Sequence, residues 1–149
     1  MKIVLDTSII IAFLLSKGKS NLTEIIKLAK DQRINIITCK EIFWELQNTI
    51  HLDKVKKFSS YKPRLIAQFI AWYKYSTTFI SLPSSRISSV SRDLNDNIYL
   101  QLAKLHNIDY IITGDKDLLV LKKISNTKIV TPERFIKNLK SPYIVTKKN

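Results

Sequence analysis

Short apolar runs and longer helical repeats follow one another along most of the chain. The short runs are rich in aliphatic and β-branched residues, which is typical of strands buried on both faces of a sheet. They lie at residues 3–5, 34–38, 77–82, 109–113 and 127–130. We therefore predict a strand in each of these runs.

Between the runs, apolar residues recur at the spacing of an amphipathic helix. The clearest repeats are Leu22, Ile25, Ile26 and Ala29; Ile42, Phe43, Leu46 and Ile50; Leu65, Ile66, Phe69, Ile70 and Tyr73; and Phe135, Ile136 and Leu139. Pro63 and Pro132 suit the first turn of a helix, because a proline there loses no hydrogen bond. This alternation predicts a three-layer α/β/α fold with a central, mostly parallel sheet of four to five strands.

The chain length of 149 residues fits one domain with a sizeable core. We predict a single domain over residues 1–140 and a basic tail over residues 141–149. No apolar run approaches the length of a membrane span, and Asp6 interrupts the N-terminal apolar segment, so neither a membrane partner nor a signal peptide is expected. The single cysteine, Cys39, excludes an internal disulfide framework, and a reducing cytoplasm is the expected location.

Basic residues outnumber acidic ones in this chain. There are 25 lysines and arginines against 12 aspartates and glutamates, which gives a formal net charge of +13. Such an excess predicts attraction to a polyanion, which is RNA, DNA or a negatively charged protein. A lysine-rich composition bias is the alternative explanation, so the positions of the few acids carry more information than the net charge.

The first apolar run ends abruptly at Asp6, and a helical pattern begins directly after it. We predict that Thr7 and Ser8 cap that helix. Asp6 then lies at the carboxyl end of an interior strand, which is where open α/β sheets bind ligands. An uncompensated buried carboxylate is costly, so Asp6 is either a helix cap or part of a polar site.

Other acids lie at strand ends, at helix starts, or on a helix that can face the same sheet edge. They are Asp115 and Asp117, Asp93 and Asp96, and Glu45. Because parallel strands end at one edge, we expect these side chains to converge with Asp6. Carboxylates that share a cleft repel each other unless a cation neutralises them. Mg²⁺ and Mn²⁺ prefer oxygen ligands, and such an ion activates a water and neutralises charge on a phosphodiester.

Each acid also has a structural explanation. Asp93 suits a helix cap as well as a ligand position, and Asp117 suits the cap of a short helix from Leu118. Glu45 taken alone fits a solvated helix position. The expected convergence makes a metal site the better interpretation of the whole set.

Four motifs of the chain resemble those of PIN domains, in the same order and spacing. They are Leu5-Asp6-Thr7-Ser8, the helix-borne Glu45-Leu46, Asp96 followed by Leu100-Gln101-Leu102-Ala103, and Ile112-Thr113-Gly114-Asp115-Lys116-Asp117-Leu118-Leu119. The likeness runs from Lys2 to about Leu139 and is strongest to the ribonuclease toxins of type II toxin–antitoxin systems. One position departs from the pattern, because the family often has asparagine where this chain has Ser8.

The resemblance implies a metal-dependent endoribonuclease that uses Mg²⁺ or Mn²⁺. Its acidic quartet would be Asp6, Glu45, Asp96 and Asp115, supported by Thr7, Ser8 and Thr113. Whether Asp93 shares the role of Asp96, and whether Asp117 ligates beside Asp115, stays open. The expected partners are RNA, an acidic antitoxin protein and a second copy of the chain in a homodimer.

Two other functions compete with this interpretation. The first is a catalytically silent RNA-binding domain of the same fold. The second is a phosphatase of haloacid-dehalogenase type, whose chemistry needs an aspartate at the position of Ser8. The serine at this position makes the phosphatase the weaker alternative.

Overall fold

A computed structural model describes residues 1–16, 20–58, 60–83 and 94–141, and for residues 94–97 it describes the backbone alone. Within these ranges one six-stranded sheet forms. Its strands are β1 (Lys2–Leu5), β2 (Asn35–Thr38), β3 (Thr78–Phe79), β4 (Tyr110–Ile112), β5 (Lys123–Ile124) and β6 (Thr127–Val130). They lie in the order β3-β2-β1-β4-β6-β5, and every neighbouring pair is parallel except β5 and β6.

The helices of the described ranges pack on both faces of this sheet. They are α1 (Thr7–Leu15), α2 (Leu22–Lys30), α3 (Lys40–Ile50), α4 (Asp53–Lys56), α5 (Pro63–Ser76), α6 (Leu94–His106), α7 (Lys116–Leu119) and α8 (Pro132–Lys140). The predicted three-layer α/β/α fold with a mostly parallel sheet is confirmed. None of these helices combines the length and apolarity that crossing a membrane requires.

Strand β1 in the middle of the sheet is buried on both faces, and its successive residues point to opposite faces. Ile3 and Leu5 of β1 pack into one apolar cluster with residues of α2 and α8. Val4, between them, packs into a second cluster with residues of α3 and α6. All three side chains are fully buried, which explains why β1 is a continuous apolar run in the sequence.

Three features of the fold differ from the prediction. The strand predicted at residues 77–82 pairs only at Thr78–Phe79, because its neighbour β2 ends at Thr38. Strand β5 was not predicted, since its hairpin with β6 turns at Ser125, with a φ of 50°, and has no glycine to mark it. Helix α4 was not predicted either, and residues 142–149 of the predicted tail lie outside the described residues.

The strand order creates a crevice at one edge of the sheet. The chain leaves β1 for β2 on one side, whereas β4 pairs with the other side of β1. Ligands of open α/β sheets bind where the order reverses in this way, outside the carboxyl ends of the strands. Asp6 follows β1 and Thr113 follows β4, so these two residues stand at the reversal point.

Candidate functional site

Asp6 is held from two sides at the carboxyl end of β1. Its Oδ1 accepts a 3.1 Å hydrogen bond from the backbone N–H of Ser8, and its Oδ2 accepts a 2.6 Å bond from the Thr113 hydroxyl. Asp6 is therefore the N-cap of α1, and the prediction that Thr7 and Ser8 cap this helix was wrong. The boundary lies one residue earlier than the sequence suggested, and Thr7 is already helical.

Thr113 connects Asp6 to a second acid. Its hydroxyl donates to Asp6 and accepts a 2.9 Å hydrogen bond from the backbone N–H of Asp115. Asp115 in turn caps α7, because its Oδ1 accepts from the N–H of Asp117 at 2.8 Å. The ends of β1 and β4 and the start of α7 are thus joined through one buried threonine side chain.

Glu45 reaches the same region from α3. Its Oε2 accepts a 3.3 Å hydrogen bond from the Thr7 hydroxyl. The Thr7 hydroxyl also lies 3.2 Å from the Tyr99 hydroxyl, which accepts from the backbone N–H of Thr7 at 3.1 Å. Because the single hydroxyl proton of Thr7 is directed to Glu45, Tyr99 is the hydrogen-bond donor toward the Thr7 hydroxyl. The chain of bonds fixes Glu45 relative to the first turn of α1.

Burial raises the pKa of the Tyr99 hydroxyl well above its usual range, and the negative charge of Asp6 raises it further. The tyrosine therefore stays protonated at neutral pH and keeps its role as a donor toward Thr7. Tyr99 was missed by the sequence interpretation. Its signal was a hydroxyl on the apolar face of α6, three residues after Asp96 and three before the buried Leu102.

Three of the predicted acids line one open cleft of about 540 Å³: Asp6, Glu45 and Asp115. Thr7, Ser8, Tyr99 and Gly114 lie in the same wall. Asp117 is exposed in the first turn of α7 and does not line the cleft. Asp96 lies in the first turn of α6, but its side chain falls outside the described residues, as does Asp93 altogether.

The donor set of the cleft suits a hard divalent cation. The described acids offer only carboxylate oxygens, which Mg²⁺ and Mn²⁺ prefer. Asp6 also has the hydrogen-bonded support that orients metal ligands, supplied here by Ser8 and Thr113. Among the described residues, however, no three acidic, histidine or cysteine side chains lie close enough together to hold an ion by themselves.

A family model described as the PIN domain matches residues 2–117 of the chain. The matched segment extends from β1 into α7 and includes all three acids that line the cleft. No curated protein and no solved structure matches the chain.

Proposed function

The chain belongs to the PIN-domain family, whose members are typically metal-dependent nucleases, and on that premise we propose that it is an endoribonuclease that uses Mg²⁺ or Mn²⁺. PIN-domain nucleases generally act on RNA and bind divalent metal ions. One observation supports the proposal above the others. Asp6, Glu45 and Asp115 come from three separate elements to line a single cleft in a protein with a net charge of +13.

We assign the acids different tasks in this cleft. Asp6 and Asp96 would hold the ion directly, and Glu45 and Asp115 would hold it directly or through water, or position the attacking water. When bound, the ion supplies a Lewis acid that neutralises charge on the phosphodiester and activates the water. Thr113 keeps one carboxylate oxygen of Asp6 in a fixed direction, and Thr7 does the same for Glu45.

Exposed lysines close in sequence to Glu45 and Asp115 would supply the attraction for RNA. Lys40 begins α3, five residues before Glu45, and Lys116 directly follows Asp115; both lysines are exposed. Each lysine that neutralises a phosphate releases counterions, which strengthens binding at low salt. The proposed substrate is single-stranded RNA, whose backbone can bend into an open cleft.

We extend the proposal to the role of a toxin in a toxin–antitoxin pair. The net charge of +13 is complementary to an acidic antitoxin segment, and the chain would act on RNA in the cytoplasm, as a homodimer. Expression of the chain alone in a bacterial host should arrest growth. Co-expression of an acidic protein encoded next to it should restore growth, and full growth in the absence of that protein would contradict the toxin role.

Cleavage of labelled single-stranded RNA by the purified protein tests the nuclease itself. We expect endonucleolytic products with Mg²⁺ or Mn²⁺ and intact RNA with EDTA. An Asp6→Asn variant purified in parallel controls for a contaminating ribonuclease, because it should be inactive under every condition. Equal cleavage with and without EDTA would refute the metal-dependent function.

A further inference from the structure

A second, larger cavity of about 840 Å³ lies on the exposed side of α3. Its walls are formed by Lys40, Glu41, Trp44, Glu45, Asn48, Thr49 and Ile98. Most of these residues lie three or four positions apart, so they share one face of the helix. The face is therefore a continuous surface along α3.

This cavity lies next to the 540 Å³ cleft lined by Asp6, Glu45 and Asp115, which we call the acid cleft. Glu45 and Thr49 line both of them, so the two spaces lie on either side of a shared wall. A strand of RNA with a phosphate in the acid cleft would have its neighbouring nucleotide at this α3 surface. The cavity is open enough for such a nucleotide to enter from solvent.

Trp44 is the most conspicuous residue of the surface. Tryptophan is mostly buried in folded proteins, yet Trp44 is 68% exposed. The other tryptophan, Trp72, packs against Phe69 with ring centroids 5.5 Å apart and contributes to the core. Core packing thus explains Trp72 but not the exposed ring of Trp44.

The charges around Trp44 indicate which part of a nucleotide this surface would take. Glu41 lines this cavity but not the acid cleft, and its charge repels a phosphate here, whereas a neutral base meets no such repulsion. The flat indole face suits stacking with a base, which is how proteins commonly hold single-stranded RNA. Asn48 and Thr49 add donors and acceptors for a base edge, and Lys40 lies where it can meet the backbone.

We propose that Trp44 is the stacking platform of a base subsite, which holds one nucleotide of single-stranded RNA beside the cleaved phosphodiester. The proposal rests on the proposed nuclease function, because it takes RNA as the ligand. It adds a determinant of substrate choice, since a stacked base requires an unpaired nucleotide at that position. Double-stranded RNA would not meet this requirement.

Tryptophan fluorescence in EDTA tests the subsite without any cleavage. We expect a short single-stranded RNA to quench the emission of the wild-type protein in a saturable way. Trp44→Phe, which leaves only Trp72, should show little quenching. The same oligonucleotide without bases, or inorganic phosphate, should quench neither protein.

Binding affinity gives the second measurement. Replacing one base-stacking aromatic side chain with alanine weakens binding about 5- to 150-fold. We expect the RNA affinity of Trp44→Ala to fall within that range and that of Trp44→Phe to recover in part. Tyr75→Ala is the matched control, because Tyr75 is 83% exposed on α5 and lines neither cavity. It should bind RNA like the wild type.

Three results would overturn the subsite. The first is an RNA affinity of Trp44→Ala equal to that of the wild type, and the second is quenching of the wild-type emission by the base-free oligonucleotide as strong as by the RNA. The third is a change of oligomeric state in Trp44→Ala with RNA affinity intact, which would make this face a protein–protein interface. Failure of the proposed function is distinguishable. In that case wild-type protein would cleave no RNA with any metal, while Trp44-dependent quenching would persist.

Discussion

The Thr113 hydroxyl donates a 2.6 Å hydrogen bond to the Asp6 carboxylate, although the two residues are 107 positions apart in the chain. The bond follows from the pairing of the strands, because Leu5 of β1 is in register with Ile112 of β4. Asp6 and Thr113 directly follow these two residues in the chain and therefore lie side by side. Hydrogen bonds to a charged acceptor are stronger than neutral ones. The sheet therefore fixes the direction of the Asp6 carboxylate before any ligand arrives.

Thr113→Val should weaken both the fold and the site. Valine keeps the shape but leaves a buried carboxylate oxygen and the Asp115 N–H without their partner, at a cost on the order of 2 kcal/mol in the free energy of unfolding. Denaturant unfolding in EDTA measures this loss, and titration with Mg²⁺ should show that more metal is needed for cleavage.

Thr113→Ser is the control for that change. It keeps the hydroxyl and loses only a methyl group, worth about 1 kcal/mol, and its metal requirement should match the wild type. If the valine and serine variants had equal stability and needed equal metal concentrations, the Thr113 hydroxyl would have no role in orienting the Asp6 carboxylate.

Asp6→Asn should abolish cleavage while the fold and RNA binding remain. Asparagine caps a helix as well as aspartate does, so the bond to the Ser8 N–H survives. The Thr113 hydroxyl loses its acceptor, which should lower the free energy of unfolding in EDTA by about 1 kcal/mol. Asp117→Asn is the matched control, because Asp117 is exposed outside the cleft and should retain activity. Retained cleavage in Asp6→Asn would remove this residue from the chemistry.

Tyr99→Phe should lower kcat and leave KM unchanged. The phenyl ring keeps the packing of α6, but Thr7 loses the partner that orients it toward Glu45. We expect a decrease in kcat on the order of tenfold, equivalent to about 1.4 kcal/mol. Single-turnover kinetics on RNA separate this effect from binding, and a change in KM alone would contradict the positioning role.

Tyr73→Phe is the matched comparison for that variant. The Tyr73 hydroxyl is fully buried beside the Thr38 hydroxyl, and neither makes a hydrogen bond of good geometry within the described residues. Removing the Tyr73 hydroxyl breaks no such bond, so stability should stay constant or rise by up to about 1 kcal/mol. Activity should equal that of the wild type.

Stability should fall at alkaline pH, partly through Cys39. Burial raises the pKa of this thiol from 9.0 to about 12. Below pH 9 the thiol is protonated in both the folded and the unfolded protein, and its contribution to the free energy of unfolding is fully present. As the pH rises from 9 toward 12, the unfolded chain releases the thiol proton first, so stability is lost. Unfolding curves from pH 8 to 11 measure the trend. Cys39→Ser should show a shallower decline, and a thiol reagent should label native protein only as fast as it unfolds.

Much of the fold could be predicted because the central strands β1 and β4 are buried on both faces. Strand β1 needs an apolar residue at every position from Ile3 to Leu5, and such runs are visible in any sequence. Strand β5 has only two residues and an unmarked turn, so it carried no comparable signal. The cap at Asp6 was misplaced by one residue because aspartate, threonine and serine all cap helices well.

The candidate site was less predictable than the fold. Convergence of strand-end acids follows from parallel topology, and Asp6 and Asp115 do line one cleft. The contact of Tyr99 with Thr7 depends on how α6 is rotated against α1, which sequence periodicity does not determine to the nearest residue. The exposure of Trp44 depends in the same way on the exact face that α3 buries.

The late position of β4 and α7 in the chain also sets when the cleft is completed during protein synthesis. A ribosome makes β1, β2 and α3 first, so Asp6 and Glu45 leave it long before Thr113 and Asp115 do. Until β4 takes its place beside β1, Asp6 lacks the hydroxyl that orients it. Under the proposed nuclease function, a nascent chain would therefore lack a complete cleft until most of its messenger RNA has been translated.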